Sequence, residues 1–135
     1  MKKIIFSLLT VSIIFLACTK KVDNDPEVIE NIQGLWIGTF LDNNKPEQPA
    51  SPFSLAIYPS GKIIVETSLL NQSFYALGTW NLNGSNFHAN YIYLEDPAGA
   101  NTVQQIVAKY DSTSTMQGMW SDKYTQGSFI VEKVE

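Results

Sequence analysis

The stretch FYALGTWNLNGSNFHANYIYL at residues 74–94 contains two alternating runs, one on each side of Asn83-Gly84. In an extended strand, residues two positions apart share a face. The shared faces carry Phe74, Ala76, Gly78, Trp80 and Leu82 in the first run, and Phe87, Ala89, Tyr91 and Tyr93 in the second. Asn-Gly is a strong signal for a two-residue hairpin in which both turn positions need a positive φ. The stretch therefore predicts two antiparallel strands joined by a tight turn.

The same alternation continues in both directions from this hairpin. Eight strands are predicted, at residues 35–41, 53–58, 62–67, 74–82, 87–94, 103–110, 116–121 and 128–134. Short loops join nearly all of them, and no helical period competes after the N-terminal segment. This order predicts an all-β fold, an eight-stranded antiparallel up-and-down β-barrel, because closure removes exposed sheet edges. A two-sheet sandwich is the alternative, but sandwiches usually need longer crossing connections, and only 42–52 is long.

Each of the three tryptophans follows a glycine by two positions. The three motifs are Gly34-Leu35-Trp36, Gly78-Thr79-Trp80 and Gly118-Met119-Trp120. In a strand the glycine and the tryptophan share a face, so the glycine lets the backbone approach a neighbour while the indole fills the interior. We interpret the pattern as barrel packing and not as a catalytic motif.

The first of these motifs, with Gly38-Thr39-Phe40 after it, resembles the G-x-W signature of the calycin barrels, the lipocalin and avidin families. The chain also looks like the small lipocalin-like lipoproteins of Bacteroidetes. The resemblance implies an eight-stranded barrel whose floor is closed by Trp36. Lipocalins pack an arginine of the last strand on this tryptophan. This chain has no arginine, so Lys133 or Lys123 would take its place.

Aromatic residues on the inward faces are the candidates for a ligand pocket. They are Trp36, Phe53, Phe74, Trp80, Tyr91, Tyr93 and Trp120. Small eight-stranded barrels either fill their interior with side chains or enclose one small ligand. Small residues between the aromatics fit both cases, and we favour the filled core. The loop at 42–52 carries three prolines. In a lipocalin this loop is a lid over the mouth; otherwise it is a semi-rigid surface loop.

The N-terminal sequence MKKIIFSLLTVSIIFLACTKK, residues 1–21, resembles the signal peptide and lipobox of bacterial lipoproteins. Lys2 and Lys3 give a positive start, and residues 4–17 form an uncharged apolar run that is short for a membrane span. In that family the chain is cut before the cysteine, so Cys18 would become the lipid-bearing first residue. An uncleaved anchor helix or ordinary secretion is the alternative.

The expected organisation is a signal peptide at 1–17, a tether at 18–33 and a barrel domain at 34–135. Several acyl chains on Cys18 would hold the protein stably on a membrane. This predicts a lipid-anchored protein of the cell envelope, at the outer membrane, facing the periplasm or the cell surface. The charged residues after Cys18 form a solvated linker or, by a second resemblance to Bacteroides-type lipoproteins, a surface-export signal.

Charge and cysteine content argue against nucleic acid as a partner and against a disulfide within the chain. The net charge is −4, and residues 18–135 keep seven lysines against thirteen acidic residues, a charge of −6. An acidic chain without arginine is a poor partner for nucleic acid, because neutralisation of phosphates supplies most of that affinity. The single cysteine leaves no disulfide within one chain. The fold must therefore hold by packing alone.

The residues that could carry catalysis are few. His88 is the only histidine, and strand parity places it on the outer face. One histidine without a cysteine partner makes no recognisable zinc site, and no G-x-S-x-G turn exists. Glu95 and Asp96 are adjacent, so they point to opposite faces of a strand. We expect no enzyme activity, no catalytic residue, no metal and no cofactor.

These observations favour a non-catalytic binding module for a small apolar or amphipathic ligand. The alternative is an envelope interaction protein or an enzyme inhibitor, similar in fold to lysozyme-inhibiting barrel lipoproteins, that works through its loops. A carrier predicts an open cavity lined by inward aromatics. An inhibitor predicts a packed interior, with function in the loops at 42–52, 69–72 and 122–126.

Overall fold

The structure is a computed structural model that describes residues 32–95 and 101–135. Its strands are β1 (Gly34–Asp42), β2 (Ser51–Ile57), β3 (Lys62–Leu69), β4 (Gln72–Asn83), β5 (Asn86–Tyr93), β6 (Gln104–Lys109), β7 (Thr115–Ser121) and β8 (Gln126–Lys133). Every predicted strand is present, and each of its bounds lies within two residues of the predicted position. The predicted signal peptide, Cys18 and most of the tether lie outside the described residues.

The strands form one closed barrel in which each strand pairs antiparallel with the next and β8 pairs with β1. The predicted up-and-down barrel is therefore confirmed, and the sandwich alternative is wrong. Register aligns the inward positions across strands: Trp36 lies opposite Leu55 on β2 and Lys133 on β8. Because side chains alternate between faces, apolar residues at every second position form one continuous core inside the barrel.

The antiparallel order gives the barrel two different ends. The connections β2–β3, β4–β5 and β6–β7 lie at one end, where β1 begins and β8 ends. We call this the closed end. The connections β1–β2, β3–β4, β5–β6 and β7–β8 lie at the other end, the mouth. The three loops singled out in the sequence, at 42–52, 69–72 and 122–126, therefore meet at the mouth.

The closed end is sealed by a small buried cluster around Trp36. The Trp36 indole donates a hydrogen bond from Nε1 to the carbonyl oxygen of Ile32 at 2.8 Å. Tyr110 packs edge-on against the same ring, with 5.8 Å between ring centroids. All three side chains are almost completely buried. Trp36 thus closes the floor as expected. Ile32, which the sequence analysis assigned to the tether, is buried in this cluster.

All three indoles donate to backbone carbonyls of other segments. Besides Trp36, Trp80 donates to the Tyr58 carbonyl at 2.9 Å and Trp120 to the Leu41 carbonyl at 3.0 Å. Each indole therefore fills interior space and also fastens a loop or a strand end. The glycines of the three motifs are not equivalent. Gly34 is exposed with φ of 124°, whereas Gly78 and Gly118 lie against the backbone of the adjacent strand.

Gly38 allows β1 and β8 to approach closely at the seam of the barrel. It faces inward between Trp36 and Phe40 on β1. A Cβ atom there would collide with the Ile130 carbonyl group and would lie 2.7 Å from Val131 Cα. These are backbone atoms of β8, which cannot move aside without opening the seam.

One hairpin turn differs from what the sequence indicated. The β4–β5 hairpin exists, but its loop is Gly84-Ser85 and only Gly84 has a positive φ, the pattern of a type II′ turn. A loop at Asn83-Gly84 would place Trp80 opposite Phe87. The observed register places Trp80 opposite Ala89 instead, which pairs a large side chain with a small one.

The turn with two positive φ values is in the β3–β4 hairpin. Its loop is Leu70-Asn71, with φ of 51° and 64°. Leucine is unfavourable in this left-handed conformation because its Cβ crowds the following carbonyl group. The Leu70 side chain is fully exposed at the mouth, so packing gives nothing to offset that cost.

Replacing Gly38 by alanine should destabilise the barrel. We expect the free energy of unfolding, measured by urea denaturation, to fall by about 3 kcal/mol, because β8 must shift to make room. The control is Thr39→Ala, on the outer face of the same strand, with an expected loss below about 1 kcal/mol. A Gly38→Ala loss no larger than that of the control would contradict the proposed close approach.

Replacing Leu70 by asparagine should stabilise the protein. Asparagine tolerates the left-handed region and Leu70 makes no buried contact, so a gain of about 0.5–1 kcal/mol in unfolding free energy is expected. The matched control is Leu94→Asn, also at an exposed leucine near the mouth but at a residue without a positive φ. Its effect should stay within about 0.5 kcal/mol. Equal effects at both positions would rule out relief of strain as the cause.

Candidate functional site

A cavity of about 330 Å³ occupies the mouth half of the barrel. Its wall combines inward residues of the strands with residues of the mouth loops. The lining residues are Phe40, Asp42, Lys45, Gln48, Pro49, Ser51, Phe53, Thr67, Leu69, Tyr91, Tyr93, Gln104, Trp120, Asp122 and Thr125. The closed half is filled by apolar side chains. Neither sequence-based alternative holds for the whole interior: half of the barrel is filled, and half contains a cavity.

Aromatic rings in mutual contact form the inner wall of the cavity. Phe40 lies 5.8 Å from Phe53 and 5.7 Å from Trp120, between ring centroids. Tyr91 and Tyr93 meet edge to face at 5.8 Å on β5. Offset and edge-on contacts of this kind stabilise the rings in fixed orientations. The apolar wall is therefore largely pre-formed.

The orientation of Trp120 depends on a glycine that sequence analysis did not single out. Trp120 on β7 lies directly opposite Gly127 on β8. A Cβ atom at Gly127 would come within 2.5 Å of the Trp120 Nε1 atom. Without that Cβ, the indole reaches across β8 and donates to the Leu41 carbonyl on β1. One ring thus connects three consecutive strands at the mouth.

Four of the seven predicted pocket residues line the cavity. They are Phe53, Tyr91, Tyr93 and Trp120. Trp36 and Trp80 do not, because they pack in the closed half, where Trp80 stacks on Phe87 at 6.0 Å. Phe74 is partly buried opposite Thr67 of β3 and is not part of the wall.

The other lining residues were not among the predicted pocket residues, although several lie in the loops at 42–52, 69–72 and 122–126 that the sequence analysis named. The alternation of side chains along β1 could have identified Phe40 and Asp42, because they share the inward face with Trp36. Parity on β3 could likewise have found Thr67 and Leu69. The lid interpretation of the 42–52 loop is supported in part, because Lys45, Gln48 and Pro49 border the cavity.

Asp122 is the centre of a polar network at the rim. Its Oδ1 atom accepts hydrogen bonds from the backbone N–H groups of Tyr124 at 2.6 Å and Thr125 at 2.7 Å, and from Thr125 Oγ1 at 3.3 Å. Its Oδ2 atom accepts from Gln104 Nε2 at 2.9 Å. Gln104 is almost fully buried. The network therefore fixes the β7–β8 loop against β6.

These hydrogen bonds control the charge of Asp122. Burial acts to raise the pKa of the carboxyl group, but the donors from Thr125, Gln104 and Tyr124 outweigh it and lower the pKa below the usual value of 3.8. A carboxylate that accepts several N–H bonds favours its ionised form. Asp122 is therefore a fixed negative charge in the wall at neutral pH.

The two tyrosines contribute hydroxyl groups to the cavity wall. Tyr93 donates from its hydroxyl to Thr67 Oγ1 at 3.1 Å. Burial is the main cause that raises the pKa of Tyr91 well above 10.0, and repulsion from Tyr93, a hydrogen bond with Tyr93 and the charge of Asp122 add to it. The Tyr91 ring therefore presents a neutral phenol to the cavity.

His88 is exposed on the outer face of β5, as strand parity predicts. Within residues 32–95 and 101–135, no three histidine, cysteine, aspartate or glutamate side chains lie close enough together to hold a metal ion. No helix in the same two ranges is long and apolar enough to cross a membrane.

No protein-family model matches the chain, and no curated protein sequence matches it significantly. Solved structures do match. A redesigned β-barrel, b11L5F_LGL, has a TM-score of 0.62 at 12% identity, with 80% of this chain and 96% of that chain covered. EF1p2_mFAP2b bound to DFHBI has a TM-score of 0.63 at 12% identity, with 79% and 97% covered. The redesigned β-barrel mFAP1, bound to DFHBI, has 0.57 at 16%, with 79% and 98% covered. These similarities establish the eight-stranded barrel fold.

The stability contributed by the Asp122 charge should depend on pH. Because the folded-state pKa lies below the unfolded value, the contribution is present above pH 3.8 and is lost as the pH falls through the folded-state pKa. Asp122→Asn keeps an acceptor oxygen but removes the charge. We expect this variant to be about 1 kcal/mol less stable than the parent at about pH 6.

The measurement is the difference in urea unfolding free energy between parent and variant at about pH 6 and about pH 3. The difference should shrink at the lower pH, while titration of all other groups cancels between the two proteins. A matched Glu66→Gln variant, on the outer face of β3, should show no comparable change. A difference for Asp122→Asn that is independent of pH would contradict the charged network.

Proposed function

We propose that this protein is a non-catalytic binding module that holds one small amphipathic molecule in the mouth cavity. The observation that carries the proposal is the cavity itself: about 330 Å³, with an aromatic inner wall and a polar rim. Ligand sites in proteins typically start near 300 Å³ and combine an apolar lining with a few placed polar groups. An eight-stranded barrel is just wide enough for one small ligand.

The structural neighbours support this proposal at the level of the fold. Two of them, EF1p2_mFAP2b and mFAP1, are bound to DFHBI. A barrel of similar fold can therefore accommodate a small molecule. The identity of the ligand does not carry over at 12–16% sequence identity.

We further propose that the module is lipid-anchored in the cell envelope, at the outer membrane, through Cys18. The support is the sequence of residues 1–21, with its lysine-rich start, apolar run and terminal cysteine. β1 begins at the closed end, so the segment from Cys18 would join the barrel at the end opposite the mouth.

A loop-based inhibitor or interaction protein is the alternative reading. It predicts a packed interior, whereas the mouth half of this barrel holds a cavity. The cavity therefore favours ligand binding over this alternative. If the protein retains no small molecule in the following experiment, the loop-based function becomes the favoured one.

Native mass spectrometry of the full-length chain, incubated with an envelope extract, tests the proposal. A retained small-molecule mass is the expected result. The decisive comparison is Ser51→Leu, which places a larger side chain in the cavity, against Ser54→Leu, the same change on the outer face of β2. Ser51→Leu should reduce binding by about tenfold or more, and Ser54→Leu should leave it unchanged.

Near-ultraviolet circular dichroism of both variants checks that the barrel remains folded. Equal loss of binding in the two variants would argue against the cavity as the site. A bare protein mass under conditions where weak complexes survive would overturn the carrier function.

A further inference from the structure

We propose that the ligand of the mouth cavity is an organic cation: an ammonium group attached to a flat or compact apolar body. This inference rests on the proposed binding function and names the chemical class of its ligand. Three properties of the wall carry it: the number of aromatic faces, the position of two carboxylates beside Trp120, and the exposure of the one lysine in the lining.

Aromatic faces dominate the inner wall. Five of the fifteen lining side chains are aromatic. The Trp120 N–H group is already donated to the Leu41 carbonyl, so the indole offers the cavity mainly its ring. The face of an aromatic ring is the negative part of its electric quadrupole and attracts cations. This attraction is strongest for tryptophan among the three ring types. The same rings supply apolar contact to the body of the ligand.

Two carboxylates stand at the corner of the mouth occupied by Trp120. Asp42, the last residue of β1, lies opposite Gly127 on β8, and the next residue, Asn43, donates from its backbone N–H to the Gln126 carbonyl at 3.0 Å. Asp122 begins the loop that leads into β8. The two side chains therefore flank the start of β8, and both line the cavity.

Both carboxylates keep acceptor capacity for a ligand. The Asp42 side chain accepts one hydrogen bond, at Oδ1 from the Asn44 N–H at 2.9 Å. Asp122 uses Oδ1 for the loop and accepts one bond at Oδ2, from Gln104. A carboxylate oxygen has two lone pairs, so an ammonium donor can be accepted in addition to these bonds.

Lys45 is the one cation among the lining residues, and its charge would favour an anionic ligand instead. Lys45 is exposed on the β1–β2 loop, where solvent screens its charge. Asp42 and Asp122 are partly buried, and Asp122 is held by four donors. The charge built into the wall is therefore negative. Residues 32–135 have five lysines against nine acidic residues, which favours a cation further.

The cavity volume limits the size of the ligand. At about 30 Å³ for each water-sized unit, 330 Å³ admits roughly ten or more non-hydrogen atoms. Tryptamine is a probe of this size with a cationic amine. 3-Ethylindole and indole-3-propionate keep the same ring but are neutral and anionic, respectively.

Isothermal titration of the full-length protein with these three probes tests the charge preference. We expect tryptamine to bind about tenfold more tightly than 3-ethylindole, and indole-3-propionate to bind most weakly. Asp122→Asn and Asp42→Asn should each reduce the tryptamine advantage at least about threefold, and added salt should reduce it as well. Glu66→Gln, which removes a carboxylate from the outer face, should have no effect. Circular dichroism confirms the fold of each variant.

The outcomes separate the inference from the proposed function. If 3-ethylindole or indole-3-propionate binds as tightly as tryptamine, the cation assignment is wrong and the binding function stands. If none of the probes binds but native mass spectrometry retains an envelope molecule, the assignment is again wrong and the function again stands. If no probe binds and the protein mass is bare, both fail.

Discussion

The pairing of β8 with β1 closes the sheet, and both the core and the cavity depend on that closure. An open sheet of these strands would expose two edges and one apolar face to solvent. Closure requires the two terminal strands to approach closely, which Gly38 permits at the level of the core. Closer to the mouth, Gly127 permits the Trp120 indole to reach across β8 to the Leu41 carbonyl. The absence of a Cβ atom at these two glycines therefore permits the close contacts on which closure depends.

The distribution of side-chain volume along the barrel axis explains why one end is filled and the other is not. At the closed end, Trp36, Tyr110 and Ile32 meet across the floor, and the stacked pair Trp80 and Phe87 occupies the interior nearby. At the mouth, the inward positions carry aromatic rings and polar side chains that line a cavity of about 330 Å³. Filling this half with apolar groups would leave the Asp122 and Gln104 network buried without water, which is unfavourable.

The asymmetry of the two ends also organises the proposed function. The chain enters and leaves at the closed end, whereas the loops singled out in the sequence gather at the mouth. The floor is stabilised by packing and one indole hydrogen bond, and the rim by hydrogen bonds to a carboxylate. A rigid floor and a polar rim are the arrangement expected of a cup that receives a molecule from one side. The strained Leu70 turn stands at the same rim.

Local sequence was sufficient to predict the strands, their order and the side chains that face the interior. Consecutive residues of a strand alternate between its two faces, and strands joined by short loops pair antiparallel. It identified Phe53, Tyr91, Tyr93 and Trp120 as inward aromatics that prove to line the cavity. It could not separate them from Trp36 and Trp80, because all of them have the same parity. The position of a ring between the closed end and the mouth decides whether it lines the cavity. That position follows from the register between strands that are distant in sequence. The exact β4–β5 turn, the contact of Ile32 with Trp36, and the placement of Asp42 and Asp122 on either side of the start of β8 were likewise decided only by tertiary structure. Each depends on which side chains face one another after closure, and no short-range pattern contains that information.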